Sequence, residues 1–186
     1  AQSLPNGGVG IFAETRAGHG GNQNSSVVGN QVGGNSGDAK DILVINSGTV
    51  NLGTSTSFLT GGDLAWGIAA RARGNEGGDD NGKGGTGGNI TIENTGDVAV
   101  YWNGTDGTPD GVRGIYALSE GGDGTASNDD SDEGGEGEAG YQVQVSSSGT
   151  ITVVSRQAVE GLSGGIVAIS QGGDGGDGPG HNSGGD

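Results

Sequence analysis

The chain has 186 residues, of which 47 are glycine, and its 23 acidic and 7 basic side chains give a formal charge of −16. This acidity argues against nucleic acid as a partner, because phosphate binding needs clustered Lys and Arg. Membrane insertion is not expected either, because no apolar run approaches the roughly 20 residues of a membrane span. The absence of cysteine excludes disulfides and thiolate metal sites. With 28% hydrophobic residues, the composition is typical of disorder unless those residues are regularly arranged.

The first predicted element is a strand that occurs four times and starts with Gly-Ile. Its copies are "GIFAETR", "GIAARAR", "GIYALSE" and "GIVAISQ", in units that start near 10, 67, 114 and 165. Alternate positions are strictly repeated, which indicates a half-buried strand with a period of two. The strict face has Ile11, Ile68, Ile115 and Ile166, then Ala13, Ala70, Ala117 and Ala168. Phe12 and Tyr116 fall on the other face, where exposed aromatic rings can bind a sugar or a partner column, but we expect them to cover a corner instead. Trp66 is expected to cap the core.

A glycine-rich tract follows each copy of the first strand, at residues 17–40, 74–88, 120–140 and 171–186. Insertions in repeat proteins fall on one face, so we expect these tracts to leave the fold along one edge. Two interpretations of the tracts stay open. Glycine runs form flexible linkers, and they can also form extended helices that pack closely because glycine has no side chain.

The second and third predicted strands lie on either side of a glycine, at Gly48, Gly96 and Gly149. The copies are "DILVINSGTVNL", "NITIENTGDVAV" and "QVQVSSSGTITV". The strict face of the second strand has Ile42, Ile90 and Val143, then Val44, Ile92 and Val145, then Asn46 and Asn94 with Ser147. The strict face of the third strand has Val50, Val98 and Ile151, then Leu52, Val100 and Val153.

Three short strands per unit, each stacked on its own copies, predict a single all-β domain over residues 1–186. We expect a right-handed, three-sided parallel β-solenoid of about three and a half coils, with acidic glycine-rich loops on one edge. In this fold like residues stack about 4.8 Å apart, and amides in an Asn column bond to one another. The right hand follows from the crossover rule.

The ordered pattern resembles the glycine-rich passenger regions of autotransporter adhesins from Gram-negative bacteria. Those are secreted solenoids in which "GIxAxS", "GGxGGxGG" and "VxVxNxGxI" recur in this order. The matching stretches here are "GIVAISQGGDGGDG" and "NITIENTGDVAV". The resemblance implies export to the bacterial cell surface. We therefore expect a structural protein, either a stalk or adhesin shaft or a filament subunit.

The acidic tracts suggest an alternative, a calcium-binding adhesive or ligand-binding module. Carboxylate and carbonyl oxygens suit Ca²⁺, and the candidate ligands are Asp123, Asp129, Asp130, Asp132, Asp174 and Asp177. Against this, the nine-residue period of calcium-binding glycine-aspartate repeats is missing. We do not expect an enzyme, because the charged residues on the predicted outer strand faces do not line up from coil to coil.

The ends of the predicted column have strand edges and core residues without a charged or proline-rich cap. End-to-end self-association, or continuation in a longer chain, is therefore expected. A host or matrix surface is a further possible partner.

Overall fold

The computed structural model describes residues 7–21, 33–60, 64–79, 81–103, 111–127, 134–156 and 162–177. These residues form ten β-strands and no helix, so none of them belongs to a helix that could cross a membrane. The strands are β1 (Gly7–Arg16), β2 (Ile42–Asn46), β3 (Val50–Leu52), β4 (Leu64–Arg73), β5 (Ile90–Asn94), β6 (Val98–Trp102), β7 (Val112–Glu120), β8 (Val143–Ser147), β9 (Ile151–Ser155) and β10 (Gly164–Gln171).

The strands form three parallel sheets in which sequence copies are neighbours. Sheet A has the order β1-β4-β7-β10, sheet B β2-β5-β8 and sheet C β3-β6-β9. Each pass through sheets A, B and C is one coil, and β10 is the first strand of a fourth coil. The predicted all-β parallel β-solenoid is thereby confirmed, while its right hand stays a prediction.

The register places like residues directly over one another. Ile11 pairs with Ile68, Ile68 with Ile115, and Ile115 with Ile166, and the four alanines two residues further on pair in the same way. In sheet B, Ile42, Ile90 and Val143 form one column and Val44, Ile92 and Val145 the next. In sheet C the columns are Val50, Val98 and Ile151, then Leu52, Val100 and Val153. Together these columns fill the interior of the solenoid.

A polar column continues this interior at the end of sheet B. Asn46 Nδ2 donates to Asn94 Oδ1 at 2.7 Å, and Asn94 Nδ2 donates to Ser147 Oγ at 2.9 Å. Each amide also bonds the following turn, since Asn94 Nδ2 lies 2.7 Å from the carbonyl oxygen of Gly96. Asn94 is almost fully buried, so these bonds satisfy polar groups that water does not reach.

Alanine at Asn94 should lower the free energy of unfolding by about 2 kcal/mol, because the Gly96 carbonyl loses its side-chain donor and Asn46 Nδ2 keeps only its bond to the Gly48 carbonyl. Urea unfolding followed by tryptophan fluorescence measures the loss. The control is Asn51→Ala on the exposed face of β3, which should change stability by less than about 0.5 kcal/mol. Equal effects of the two substitutions would contradict the buried role of Asn94.

The two middle strands of sheet A, β4 and β7, are buried on both faces. Leu64, Trp66, Ala69, Tyr116 and Leu118 form a second buried cluster outside the solenoid interior. The alternation slips by one residue at Gly67: Ala65 and Ile68 both face the interior, and Trp66 and Ala69 both belong to the outer cluster.

The outer cluster changes two expectations about aromatic residues. Tyr116 is 7% exposed and its ring lies 4.9 Å from that of Trp66, so it is not available on the surface for a ligand. Arg113 stacks over both rings, 4.1 Å from the Tyr116 centroid. The sequence led us to expect Trp66 to cap the core. This was wrong, because Trp66 packs in the outer cluster. Trp102 is the tryptophan that packs in the solenoid interior.

Candidate functional site: glycine arms and open ends

The described parts of the glycine tracts are pairs of extended arms. An outgoing arm leaves each strand of sheet A, and a return arm leads back to sheet B. The outgoing arms comprise residues 17–21, 74–79, 121–127 and 172–177, and the return arms comprise residues 33–41, 81–89 and 134–142. Arms of one kind lie beside their copies in neighbouring coils, so two layers of arms extend the solenoid at one edge.

Within each layer, backbone hydrogen bonds recur at every third residue. In the outgoing layer, Gly74 and Gly77 donate to the carbonyls of Glu120 and Asp123 in the next coil, at 2.7 and 3.0 Å. In the return layer, Gly84 and Gly87 donate to carbonyls of the third coil, both at 3.0 Å. The bonds recur every three residues and join different arms, and within the described residues no backbone hydrogen bond lies inside a single arm. This is the pattern of an extended helix of the polyproline II type.

The two layers are also bonded to each other. Gly85 of the second return arm donates to the Asn75 carbonyl of its own coil at 3.0 Å, and its carbonyl accepts from Gly122 of the next coil at 2.8 Å. Gly122 in turn accepts from Glu138 at 3.0 Å. The described parts of the tracts are therefore a hydrogen-bonded array, which favours the packed-helix interpretation over that of a flexible linker.

Close packing explains why these positions are glycine. A methyl group at Gly77, Gly82 or Gly124 would lie closer than 3.0 Å to backbone atoms of a neighbouring arm, a distance that real side chains do not reach. The described arm glycines do not have a positive φ, so their backbone conformation does not require glycine. The requirement comes from the neighbouring arm, as in collagen, where only glycine fits the crowded axis.

The signal for this arrangement in the sequence is the triplet Gly-Gly-X, which the strand-based alignment did not use. It is clearest in "KGGTGGN", residues 83–89, and in "QGGDGGD", residues 171–177. Lys83, Thr86 and Asn89 occupy the third positions, and all three side chains are exposed or half-buried. Two glycines per triplet therefore face neighbouring arms, and the third residue faces outward.

Outward Asp and Asn side chains bond the backbone of the next coil. Asp38 Oδ1 accepts from the Thr86 amide at 3.1 Å and from the Thr86 hydroxyl at 2.8 Å. Asp41 accepts from the Asn89 amide at 2.9 Å in the same way. The hydroxyl and then the amide of Thr86 hold the pKa of Asp38 below its ordinary value of 3.8.

This shift fixes the sign of a pH effect. A lowered pKa means that the contribution of Asp38 to stability is present above pH 3.8 and is lost as the pH falls through the folded-state pKa. Replacing Asp38 by Ala should therefore lower the melting temperature at pH 6, by an amount equivalent to about 0.5 kcal/mol or less because the site is exposed. The difference from the unsubstituted chain should shrink as the pH falls below 3.8. Asp174→Ala is the control, because Asp174 bonds Asp123 Oδ1 through its backbone amide, which the substitution keeps, and this variant should not lower the melting temperature at pH 6.

Oppositely charged side chains on the arms pair between coils. Lys83 Nζ lies 3.2 Å from Glu136 Oε2 and also contacts Glu138, and Arg73 pairs with Glu120. Hydrogen bonds to Glu138 and Glu136 raise the pKa of Lys83 above its ordinary value of 10.5. Each base belongs to the coil that precedes its acid, so these pairs favour the native stacking order of the coils.

The calcium candidates are brought together only in part. Asp123 and Asp174 share a column, but Asp123 Oδ1 already accepts from the Asp174 amide at 2.8 Å. Asp177 lies beside Ser127, whose amide donates to the Asp177 carbonyl. Within the described ranges there is no group of three or more His, Cys, Asp or Glu that could hold a metal ion. Asp129, Asp130 and Asp132 lie outside those ranges, so calcium binding there stays a prediction.

The interior columns are less covered at the ends of the solenoid than in its middle. Ile68 and Ile115 are fully buried, whereas Ile166, in the same column, is 46% exposed. Val143 and Val145 of β8 and Ile151 and Val153 of β9 are half-buried, although their counterparts in the second coil are at most 1% exposed. The end formed by β8, β9 and β10 is called the lower end below.

Comparison with known proteins does not extend this description. Neither a family model, a curated protein nor a solved structure matches the chain.

Proposed function

We propose that the chain is a structural element of an extracellular or cell-surface rod, which lengthens by stacking further coils on its ends. The observation that carries the proposal is the set of interior columns that run through every coil and are uncovered at the lower end. The added coils come from another copy of the chain or from the continuation of a longer chain. The cell-surface location follows from the resemblance to autotransporter adhesin shafts.

Two features support a mechanical role. Parallel ladders bond the coils along the solenoid axis in all three sheets. The arm layers add a second set of hydrogen bonds along the same axis, because each arm bonds its copies in neighbouring coils. Deforming the column requires both sets to break, so the arms stiffen a solenoid that has few large apolar residues.

Sedimentation velocity and electron microscopy over a wide concentration range test this proposal. One coil adds about 4.8 Å along the axis, so three complete coils are roughly 15 Å thick. We expect particles of constant width that grow longer as concentration rises. A compact, well-folded monomer at every concentration would contradict the stacking of separate copies.

A further inference from the structure

The outer face of sheet C has two aromatic rings in one column. Leu59 forms a parallel bridge with Trp102, and both side chains pack in the solenoid interior. Because side chains alternate along an extended chain, the residues before them, Phe58 and Tyr101, face outward. Their rings meet edge to face, with centroids 5.7 Å apart. Val154 of the third coil pairs with Tyr101 and continues the column.

A turn in the first coil places Phe58 in this column. After β3, the amides of Thr54 and Ser57 donate to each other's carbonyls at 2.7 and 3.2 Å. The chain then rejoins sheet C, where the Leu59 amide donates to the Tyr101 carbonyl at 2.8 Å. The equivalent strands β6 and β9 continue through this level without a turn. A local interruption of a strand re-aims the side chains that follow it, and here it adds a second ring beside Tyr101.

The guanidinium of Arg156 lies over the first of these rings. Arg156 Cζ is 3.8 Å from the centroid of Phe58, although Arg156 is in the third coil and Phe58 in the first. Arg73 and Lys83 pair with acids, and Arg113 donates to a backbone carbonyl. In the part of the chain that the structure describes, the Arg156 guanidinium has neither an ion pair nor a hydrogen bond. Arg156 is exposed, so its N–H groups are open to solvent.

We call Phe58, Tyr101 and Arg156 the aromatic platform, and their chemistry fits a carboxylate attached to a ring with an apolar face. A guanidinium over an aromatic ring keeps its N–H groups available, and two of them can bond one carboxylate side by side. The ring of Tyr101 is half-buried, and its exposed part offers an apolar surface to the C–H groups of a sugar. Asn51 and Thr152 lie in the neighbouring outer column and can bond hydroxyl groups.

The same face is poorly suited to an extended peptide. Peptides that bind β-sheets usually pair with the backbone of a strand edge. The backbone groups between β3, β6 and β9 are already used in the ladder of sheet C. A ligand on the platform must therefore be recognised by side chains alone, which favours a saccharide.

We propose that the aromatic platform binds an acidic saccharide, with Arg156 bonding the carboxylate of a uronic acid and Tyr101 contacting its ring. The inference goes beyond the proposed function and does not depend on it, because all three residues belong to neighbouring coils of one copy. The chain as a whole carries a charge of −16, which disfavours anions at most of its surface. An unpaired guanidinium is what makes an anionic ligand possible at this place.

The test is a titration of the isotope-labelled full chain with tetragalacturonate, followed by NMR. The fully methyl-esterified tetrasaccharide is the matched control, since esterification removes the carboxylate charges and keeps the sugar rings. We expect saturable shifts at the ring signals of Phe58 and Tyr101 and at Arg156 Nε with the acid. Binding of the ester should be weaker by about tenfold or more.

Two variants separate the platform from the charge of the chain. Arg156→Gln should weaken binding by about tenfold or more, because it removes the cation and keeps an amide. Arg16→Gln makes the same charge change at another exposed arginine, on sheet A, and should leave the affinity within about twofold. Both side chains are exposed, so both variants should fold, and thermal unfolding checks this.

The absence of saturable shifts up to millimolar tetragalacturonate, equal affinity for acid and ester, or equal effects of the two variants would overturn the proposal. Tetraglutamate that bound the same residues as tightly would also overturn it, because the site would then recognise carboxylates without regard to the sugar. Rod formation is measured separately. A chain that forms rods without binding the saccharide leaves the proposed function standing, and a monomer that binds it leaves this inference standing.

Discussion

Alanine at Gly77 should lower the free energy of unfolding by about 3 kcal/mol, a large fraction of the roughly 5–15 kcal/mol that holds an ordinary domain together. Gly77 is buried between the two arm layers, and its amide donates to the Asp123 carbonyl of the next coil at 3.0 Å. An added methyl group would lie closer than 3.0 Å to three backbone atoms of Gly82. Because those atoms belong to another hydrogen-bonded arm, the overlap can be relieved only by separating the layers.

Gly18→Ala is the matched control, since Gly18 is in the same layer but a methyl group there would have no atom within 4 Å. Alanine restricts the unfolded chain more than glycine does, so this variant should be unchanged or up to about 1 kcal/mol more stable. Urea unfolding of both variants, followed by the fluorescence of the buried Trp66 and Trp102, measures the difference. Two variants with the unfolding curve of the parent chain would mean that the arms do not pack as described.

Alanine at Ile68 should cost about 3–4 kcal/mol, whereas alanine at Ile166 should cost about 1–2 kcal/mol. Both residues belong to one column and undergo the same chemical change. Ile68 is fully buried with a neighbour above and below, so truncation leaves a cavity. Ile166 is 46% exposed and has a column neighbour on one side only, so less contact is lost.

The stability lost in Ile166→Ala, relative to that lost in Ile68→Ala, also indicates whether copies of the chain stack end to end. At concentrations where copies associate end to end, Ile166 becomes covered and the cost of its truncation should rise towards that of Ile68. Melting temperatures measured at several protein concentrations detect this change. A cost for Ile166→Ala equal to that of Ile68→Ala in dilute, monomeric protein would contradict the exposed lower end.

The strand columns could be predicted from the sequence because their signal is local. Positions such as Ile42, Val44 and Asn46 alternate with variable ones, and period-two alternation with one strict face identifies a strand without knowledge of its neighbours. The same three strands recur in the same order in each unit. A parallel solenoid is the arrangement in which every strand stacks on its own copy in the next unit. That part of the fold follows from pattern alone.

The arms were harder to predict because their constraint is not local. Whether Gly77 can be replaced depends on the backbone of the return arm, which the sequence around Gly77 does not reveal. The Gly-Gly-X period is also short, and Asn75, Thr125 and Glu138 interrupt it. The outer cluster was also not predicted, because it depends on a contact between coils. The inward-outward alternation shifts by one residue at Gly67, and Trp66 of one coil then packs against Tyr116 of the next.

Amide hydrogen exchange, resolved by residue with NMR, tests most directly whether the glycine arms are a packed array. The structure predicts slow exchange at Gly84, Gly85 and Gly87, whose amides bond backbone carbonyls of other arms, and faster exchange at Thr86, whose amide bonds the exposed side chain of Asp38. Exchange of all four amides at the rate of an unstructured chain would contradict the array.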